Sequence, residues 1–286
     1  MTPPPGVTVR DVATGDVVLP VEYSGPADGA PIVLLHGWPQ NARSWDAVAP
    51  FLHEAGYRTV VPTLRGAAVG ATPHSRLSYR PHILSADVGA IIADVGAPVH
   101  LVGHDWGAAL AWTVACRRPD LLHTLTAVSV PHPATFARAL SHSRQILSSW
   151  YMLVFQLPVL PELLLARRNM MARFLIRSGQ TPELADRDAR AAAAPGVRHG
   201  GINWYRGFIL SREAAPATTT VPVLQVWSDG DIAIRRATVE ATSRNAAGGF
   251  DFLAFTGVSH WIPDERPEEL AQAIIRHAAG PHTPPT

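Results

Sequence analysis

The sequence predicts an α/β protein with a mostly parallel, doubly wound sheet, and two observations carry this prediction. First, between residues 32 and 130, short apolar β-branched segments alternate with segments whose apolar residues recur every three or four positions. This alternation is typical of parallel strands connected by helices. Second, residues 134–212 show helical patterns and no strand pattern, after which strand character returns. We therefore expect a core formed by 1–133 and 213–286, with a helical cap, 134–212, over the carboxyl ends of the strands, where such sheets bind ligands.

The individual elements are predicted from periodicity and from the residues at their ends. Val7–Val9 and Val17–Tyr23 alternate as an antiparallel pair would, across Gly15-Asp16. Ile32–Leu35 is a continuous apolar run, as buried parallel strands are, and further strands are predicted at Tyr57–Pro62, Val99–Val102, Leu125–Val130, Val221–Trp227 and Phe250–Phe255. Helices are predicted at Ser44–Gly56, Leu84–Val95, Gly107–Ala115 and Pro267–Ala279.

The composition of the chain indicates which classes of binding partner to expect. The 286 residues are 47% hydrophobic and 16% charged, with a net charge of +1, so we expect neither nucleic acid nor a membrane as a partner. The most apolar window, Ile146–Ala166, contains Pro158, Pro161 and Glu162 and is interrupted well short of a membrane span. No secretion signal is recognisable at the N-terminus, and the single Cys116 excludes an internal disulfide. A cytoplasmic protein is the expectation.

A buried strand turns sharply into a helix at Gly103-His104-Asp105-Trp106-Gly107. The Gly-x-Asp-x-Gly spacing is that of a nucleophile elbow, in which small residues let strand and helix approach closely. The central Asp105 is then expected at positive φ, with its carboxylate lifted out of the turn above the N-terminus of the helix. An Asp that only caps a helix would not need a glycine on both sides. The pattern therefore favours a nucleophile.

Two later loops supply an acid and a histidine. Ser228-Asp229-Gly230-Asp231 follows one predicted strand, and Gly257-Val258-Ser259-His260-Trp261 follows another. The order nucleophile, acid, histidine along the chain is that of α/β-hydrolase triads. His260 is the predicted general base, and Asp231 or Asp229 is the acid that orients it. Asp231 is preferred because it lies deeper in its loop, past Gly230.

A carboxylate nucleophile determines the kind of chemistry. Asp105 is already ionised at neutral pH, so it can displace a leaving group from an sp³ carbon and form an alkyl-enzyme ester. His260 would then activate water to attack the carboxyl carbon of that ester. The resulting oxyanion needs hydrogen-bond donors, and the backbone N–H groups of Trp106 and of Trp38, in the loop His36-Gly37-Trp38-Pro39, are the candidates.

These three motifs, His36-Gly37-Trp38-Pro39, Gly103-His104-Asp105-Trp106-Gly107 and Gly257-Val258-Ser259-His260-Trp261, resemble those of α/β-hydrolase-fold epoxide hydrolases over nearly the whole chain. The resemblance implies that two cap tyrosines hold and protonate the epoxide oxygen. Tyr151, in Ser149-Trp150-Tyr151-Met152, and Tyr205, in Asn203-Trp204-Tyr205-Arg206, match the motifs of that pair. Phenols suit the role because they can donate a proton to an alkoxide without being ionised beforehand. The implied partners are a small apolar epoxide and water.

The aromatic residues beside these motifs are candidates for an apolar substrate pocket: Trp38, Trp106, Trp150, Phe155, Trp204 and Trp261. The sequence contains no zinc-type Cys/His spacing and no phosphate-binding glycine motif, so neither a metal nor a cofactor is expected. Which epoxide is used, with what selectivity, and in which oligomeric state are questions that the sequence leaves open.

Two other functions fit the same residues. Haloalkane dehalogenases share the fold and the Asp-Trp pair, but they have no use for two tyrosines and need two N–H donors for the halide. Here Trp106 could supply one donor, while Trp38 occupies a position where Asn is common. The second alternative is a hydrolase fold that binds a ligand without catalysis, since fold does not guarantee function. The presence of Asp105, Asp231 and His260 together argues against it.

Overall fold

The computed structural model describes residues 6–96, 98–210 and 218–280. These residues contain an eight-stranded sheet whose strands follow the spatial order β1-β2-β4-β3-β5-β6-β7-β8. Only β2 runs antiparallel to its neighbours β1 and β4, and the remaining pairs are parallel. The predicted α/β-hydrolase fold with its mostly parallel sheet is therefore confirmed. The strands are β1 Thr8–Thr14, β2 Val17–Ser24, β3 Pro31–Leu35, β4 Arg58–Pro62, β5 Val99–His104, β6 Leu122–Val128, β7 Val223–Gly230 and β8 Phe250–Ser259.

Helices cover both faces of the sheet. They are α1 Ala49–Glu54, α2 Pro81–Val95, α3 Trp106–Arg117, α4 Pro133–His142, α5 Gln145–Ser148, α6 Tyr151–Val154, α7 Leu160–Leu165, α8 Arg168–Arg177, α9 Pro182–Ala192, α10 Val197–Ile209, α11 Arg236–Glu240, α12 Ile262–Glu265 and α13 Pro267–Ala279. Across the described ranges, none of these helices has the length and apolar character needed to cross a bilayer.

The continuous helix predicted for Ser44–Gly56 is wrong. The structure has a 3₁₀ turn at Ala42–Trp45 and then, after a break, α1 at Ala49–Glu54. Pro50 explains the break, because proline has no N–H to donate and is accommodated only in the first turn of a helix. The helix therefore begins at Ala49 instead of continuing from the preceding turn.

The core lies on both faces of the sheet because its central strands alternate. In β3, Val33 and Leu35 belong to the buried cluster that includes α2 and α3, whereas Ile32 and Leu34 belong to the cluster that includes α1 and α13. All four side chains are fully buried. Successive side chains of a strand point to opposite faces, so a continuous apolar run gives a strand that is covered on both sides.

The region between β6 and β7 is helical. Among its described residues, up to residue 210, the helices α4 to α10 follow one another without a strand. The predicted end of the cap at residue 212 falls at 211–217, outside the described residues. Since β5, β7 and β8 are parallel, the loops that follow them meet at one edge of the sheet.

The turn between β5 and α3 depends on two glycines. A Cβ on Gly107 would lie 2.2 Å from the carbonyl oxygen of Leu35, and a Cβ on Gly103 would lie 2.2 Å from that of Gly107. Both distances are far below van der Waals contact with backbone that cannot easily move. The small residues of the elbow are therefore required by its packing.

We predict that Gly107→Ala lowers the free energy of unfolding by about 1–3 kcal/mol or more, because the added methyl group forces β3 and α3 apart. Gly89→Ala is the matched control, since Gly89 lies within α2 and a Cβ there meets nothing within 4 Å. This control should gain up to about 1 kcal/mol from its higher helix propensity. Chemical denaturation measures both. Equal stability of the two variants would show that the elbow does not need a glycine.

Candidate active site

The elbow holds Asp105 in a conformation that side chains rarely adopt. Its φ is 53° and its ψ is −122°, immediately before the first residue of α3. A non-glycine residue at positive φ costs free energy, which the packing of the surrounding strand and helix must offset. The consequence is that the carboxylate stands clear of the turn at the edge of the sheet, as the Gly-x-Asp-x-Gly pattern predicted.

One carboxylate oxygen of Asp105 is held by backbone donors. The N–H of Trp38 donates to Oδ1 at 2.9 Å, and the backbone N–H of Trp106 also stabilises the anion. Gly37 permits this approach, since a Cβ at that position would lie 2.4 Å from Oδ1. The two N–H groups predicted as an oxyanion hole thus both act on the Asp105 carboxylate. The steric role of Gly37 was not predicted, although the residue stands in the recognised motif.

His260 lies between two carboxylates. Its Nε2 is 3.5 Å from Oδ2 of Asp105, and its Nδ1 is 2.7 Å from Oδ2 of Asp231. The other oxygen of Asp231 accepts the backbone N–H groups of Ala233 and Ile234, at 2.8 and 2.9 Å. The side chain of Asp231 is fully buried and fixed in orientation.

Asp229, the other candidate acid, is placed differently. It is exposed, and its Oδ1 accepts the backbone N–H of Gly257 at 2.7 Å. Its carboxylate therefore binds the backbone near the end of β8 instead of contacting the imidazole of His260. Of the two acids that the sequence left open, the structure brings Asp231 to His260.

Charge balance shifts the pKa values of this pair in opposite directions. Burial acts to raise the pKa of Asp105, but the contact with His260 and the N–H of Trp106 outweigh it, so the pKa lies below the usual range. Burial acts to lower the pKa of His260, but the charge of Asp231 and the contact with Asp105 raise it to about 10. At neutral pH the resting site therefore contains a carboxylate beside an imidazolium.

Two further histidines hold the loops. Burial lowers the pKa of His104 to about 4, so the ring is neutral, and its Nε2 donates to the carbonyl of His260 at 2.9 Å. Burial likewise lowers the pKa of His36 to about 4. Its Nε2 accepts the N–H of Leu64 at 3.0 Å, while its Nδ1 lies 2.8 Å from the carbonyl oxygen of Gly37. Both act as structural residues.

Tyr151 and Tyr205 come from two different helices of the region between β6 and β7, α6 and α10, and meet beside Asp105. Their ring centroids are 6.0 Å apart, and the Tyr205 ring also packs edge-on against Phe155 and Trp106, at 4.8 Å each. Burial, with the charge of Asp105 as a further contribution, raises the pKa of both phenols. Both are therefore protonated at neutral pH.

A cavity of about 540 Å³ connects these groups. Its lining includes Asp105, His260, Tyr151 and Tyr205, together with three of the predicted aromatics, Trp38, Trp150 and Phe155. Trp106 lines a smaller adjoining pocket that also contains Asp105. The remaining lining is mainly aliphatic and comes from the cap: Leu147, Val154, Leu164, Leu165, Met170 and Phe174, with Ile232 from the loop after β7. The sequence does not distinguish these aliphatic residues from core residues, and it predicted only the aromatic residues next to the motifs.

Two predicted pocket residues do not line this cavity. The indole N–H of Trp204 donates to the carbonyl of Arg65 at 2.7 Å, and that of Trp261 donates to Oγ of Ser178 at 3.0 Å. Both side chains are buried in the core. Both indole N–H groups thus have partners away from this cavity, and Trp204 lines a separate small pocket together with Trp106. A substrate-binding role for Trp204 and Trp261 stays a prediction.

In the part of the chain that the structure describes, no group of three or more His, Cys, Asp or Glu side chains is arranged to hold a metal ion.

The raised pKa of His260 predicts how stability depends on pH. The folded protein keeps a proton that the unfolded chain, with a His pKa of about 6.5, releases. This contribution is fully present below about pH 6.5 and is lost as the pH rises through about 10. From about pH 7 to 8, where cysteine and tyrosine are still mostly protonated, the free energy of unfolding should fall by about 1 kcal/mol per pH unit. Denaturant titrations measure it. His260→Gln is the control and should lack this slope; parallel curves would contradict the charge assignment.

Comparison with known proteins agrees with the geometry. Residues 32–273 match the alpha/beta hydrolase family. The chain is 32% identical over 281 residues to the AB hydrolase superfamily protein YfhM of Bacillus subtilis. This alignment covers 95% of this chain and 98% of that protein. It is 30% identical over 282 residues to Epoxide hydrolase 3 of Xenopus tropicalis, and this alignment covers 94% of this chain and 74% of that protein. The crystal structure of Epoxide Hydrolase A from Mycobacterium thermoresistibile aligns with a TM-score of 0.78 at 27% identity, covering 94% and 97%. The chain therefore belongs to the α/β-hydrolase family, in its epoxide hydrolase group.

Proposed function

We propose that this protein is an epoxide hydrolase that converts an epoxide to a vicinal diol through an alkyl-enzyme ester on Asp105. The observation that carries the proposal is that a carboxylate, an imidazole and two phenols, those of Asp105, His260, Tyr151 and Tyr205, border one largely apolar cavity. We further propose that residues 134–212 act as the cap and that 1–133 with 213–286 form the core. The names of the relatives support the same activity.

In the first step, a free oxygen of the Asp105 carboxylate attacks a ring carbon of the epoxide. The carbon–oxygen bond of the ring breaks, and the oxygen takes a proton from Tyr151 or Tyr205 as it leaves. The raised pKa values keep both phenols protonated until that moment. The product is an ester between Asp105 and the substrate, with a hydroxyl group on the neighbouring carbon.

In the second step, water hydrolyses the ester. Esterification removes the negative charge of Asp105, which is one of the groups that raise the pKa of His260, so the imidazole can lose its proton more readily. Neutral His260, oriented by Asp231, then takes a proton from water as the water attacks the carboxyl carbon of Asp105. Collapse breaks the bond between the carboxyl carbon and the ester oxygen, and the leaving diol oxygen takes the second proton of the attacking water, so that Asp105 is again a carboxylate beside protonated His260. The tyrosinate is reprotonated by the proton that His260 lost after the first step.

The oxygen that carries the developing charge is already in position. Oδ1 of Asp105 accepts the N–H of Trp38 at 2.9 Å in the resting state, while Oδ2 lies on the side of His260. If Oδ2 forms the ester bond, Oδ1 becomes its carbonyl oxygen and then the oxyanion. Removing one such donor typically costs a factor of about 10²–10³ in rate.

A haloalkane dehalogenase would need indole N–H groups that face the substrate. The Nε1 of Trp38 instead lies against α10, where a Cβ on Gly201 would be only 1.8 Å from it. The side chain of Trp106 makes a hydrogen bond to Tyr205. Among the described residues, the indole N–H of Trp38 has no hydrogen-bond partner but lies against α10, and that of Trp106 is engaged by Tyr205, whereas the two phenols have a role only in epoxide opening. These observations favour the epoxide over the haloalkane.

The proposal is tested by product analysis. The purified protein is incubated in parallel with small apolar epoxides of graded size and with haloalkanes of matched size. We expect diol from at least one epoxide and no halide release. Halide release without diol would replace the proposal by a dehalogenase. Absence of both products, with ligand bound in the cavity, would favour the non-catalytic alternative.

The tyrosine pair gives a separate prediction. Tyr151→Phe or Tyr205→Phe alone should slow diol formation, because the remaining phenol still donates a proton, while the double variant should lose measurable turnover, a drop of about 10³ or more. Tyr23→Phe is the control, since that hydroxyl contacts Asp94 away from the site. Near-normal kcat/KM in the double variant would remove the tyrosines from the mechanism.

A further inference from the structure

Exposed apolar side chains are concentrated on one part of the cap. Of the seventeen large hydrophobic residues that are exposed in the described chain, eleven lie between Leu147 and Ile176. Single exposed leucines are ordinary, but monomeric proteins rarely expose large contiguous apolar patches, and such patches mark sites of interaction.

Part of this surface surrounds the mouth of the active-site cavity. Six residues are exposed and also line the cavity, and we call them the apolar rim: Leu147, Trp150, Leu164, Met170, Phe174 and Ile232. The side chains of Leu147 and Trp150 are 66% and 62% exposed. The same cavity reaches Asp105 and His260. The opening that leads to the reacting groups is therefore bordered by apolar side chains in contact with solvent.

The segment that carries five of the six rim residues is strongly basic. Residues 133–180 contain six of the 24 arginines but only one of the 23 acidic residues, which leaves 18 arginines and 22 acidic residues in the rest of the chain. The one acidic residue, Glu162, is paired with Arg206 at 2.6 Å. The overall charge of +1 thus conceals a positive cap on a negative remainder, which total charge could not reveal.

Helix α8 brings the two features together. Met170 and Phe174 of the apolar rim are four residues apart, and the exposed Arg173 and Arg177 each follow one of them by three. Residues separated by three, four or seven positions share a face of a helix. The outward face of α8 is therefore apolar and basic at once. This combination, with a tryptophan nearby, is typical of surfaces that lie in the headgroup region of a membrane.

We propose that the apolar rim, the other exposed hydrophobic residues between Leu147 and Ile176, and the exposed Arg173 and Arg177 form a peripheral binding surface for an anionic lipid bilayer. The rim side chains would enter the headgroup region, while the arginines contact lipid phosphates. The binding surface does not depend on the proposed reaction. If the epoxide hydrolase proposal also holds, the cavity opens toward the bilayer, and the substrate class includes apolar epoxides dissolved in lipid.

The experiment measures co-flotation of the purified protein, without substrate, with phosphatidylcholine vesicles that contain or lack phosphatidylglycerol. We expect binding to the anionic vesicles, and we expect it to weaken at high salt because the charge contribution is screened. Arg173→Glu with Arg177→Glu should weaken this binding about tenfold or more. Neither residue lines the cavity, and both are exposed, so the variant should fold; thermal unfolding checks this.

Two controls isolate the surface. Arg244→Glu with Arg276→Glu makes the same change in charge at exposed arginines near the amino ends of the parallel strands and should leave binding unchanged. Leu153→Ser with Leu163→Ser, at residues 59% and 62% exposed, should weaken binding, whereas Val18→Ser with Val69→Ser should not.

Three outcomes would overturn the proposal. One is absence of binding to either vesicle. The second is equal loss of binding in the cap variants and in their controls. The third is a dimer, seen by light scattering, that dissociates in Leu153→Ser with Leu163→Ser while vesicles fail to bind; in that case a second copy of the chain covers the patch. Because every readout is made without substrate, failure here leaves the proposed reaction untouched, and failure of the reaction leaves this surface untouched.

Discussion

A buried carboxylate at the end of β5 is the constraint on which the site depends. Asp105 sits in a strained turn, at φ 53°, and its charge would be costly there without compensation. Compensation comes from the N–H groups of Trp38 and Trp106 and from the charge of His260. These groups follow β3, β5 and β8, so the parallel strands must end together for one anion to be satisfied. Parallel topology and chemistry are linked at this point.

The groups that stabilise the Asp105 anion still allow the carboxylate to lose its charge when it forms the ester. A carboxylate held only by fixed N–H groups would be a poor nucleophile, because attack would remove those hydrogen bonds. Here one oxygen is held by Trp38, while the other is 3.5 Å from His260, longer than an ordinary hydrogen bond. The imidazole is in turn fixed by Asp231 at 2.7 Å, so its geometry does not depend on the charge of Asp105.

Local sequence patterns predicted the fold, and they named Asp105, His260 and Asp231, which the structure brings together. The backbone around Gly103 and Gly107 leaves no room for a side chain. Because this requirement is local, it is visible in the sequence as the short Gly-x-Asp-x-Gly motif. Long-range packing could not be predicted in this way. Trp204 is 139 residues from its partner Arg65, and Trp261 is 83 residues from Ser178. Residue type alone does not tell which aromatic ring faces a cavity.

The dependence on long-range packing also explains two further features that the sequence could not predict: which acid contacts His260, and which apolar residues are exposed. Asp229 and Asp231 are equivalent in composition, and only the path of the loop shows that one reaches His260 while the other contacts Gly257. The exposed apolar residues between Leu147 and Ile176 resemble core residues in sequence, and their exposure follows only from how the helices between β6 and β7 pack against one another.

The proposed reaction depends most on Asp105 forming a covalent bond to substrate carbon, and His260→Gln tests this directly. Glutamine keeps the approximate shape of histidine but cannot take the proton from water, so the ester should form and persist. After incubation with an epoxide that the wild type converts, intact-mass and peptide analysis should show one substrate molecule attached to the peptide that contains Asp105. An unmodified chain, or an adduct on another residue, would contradict the account.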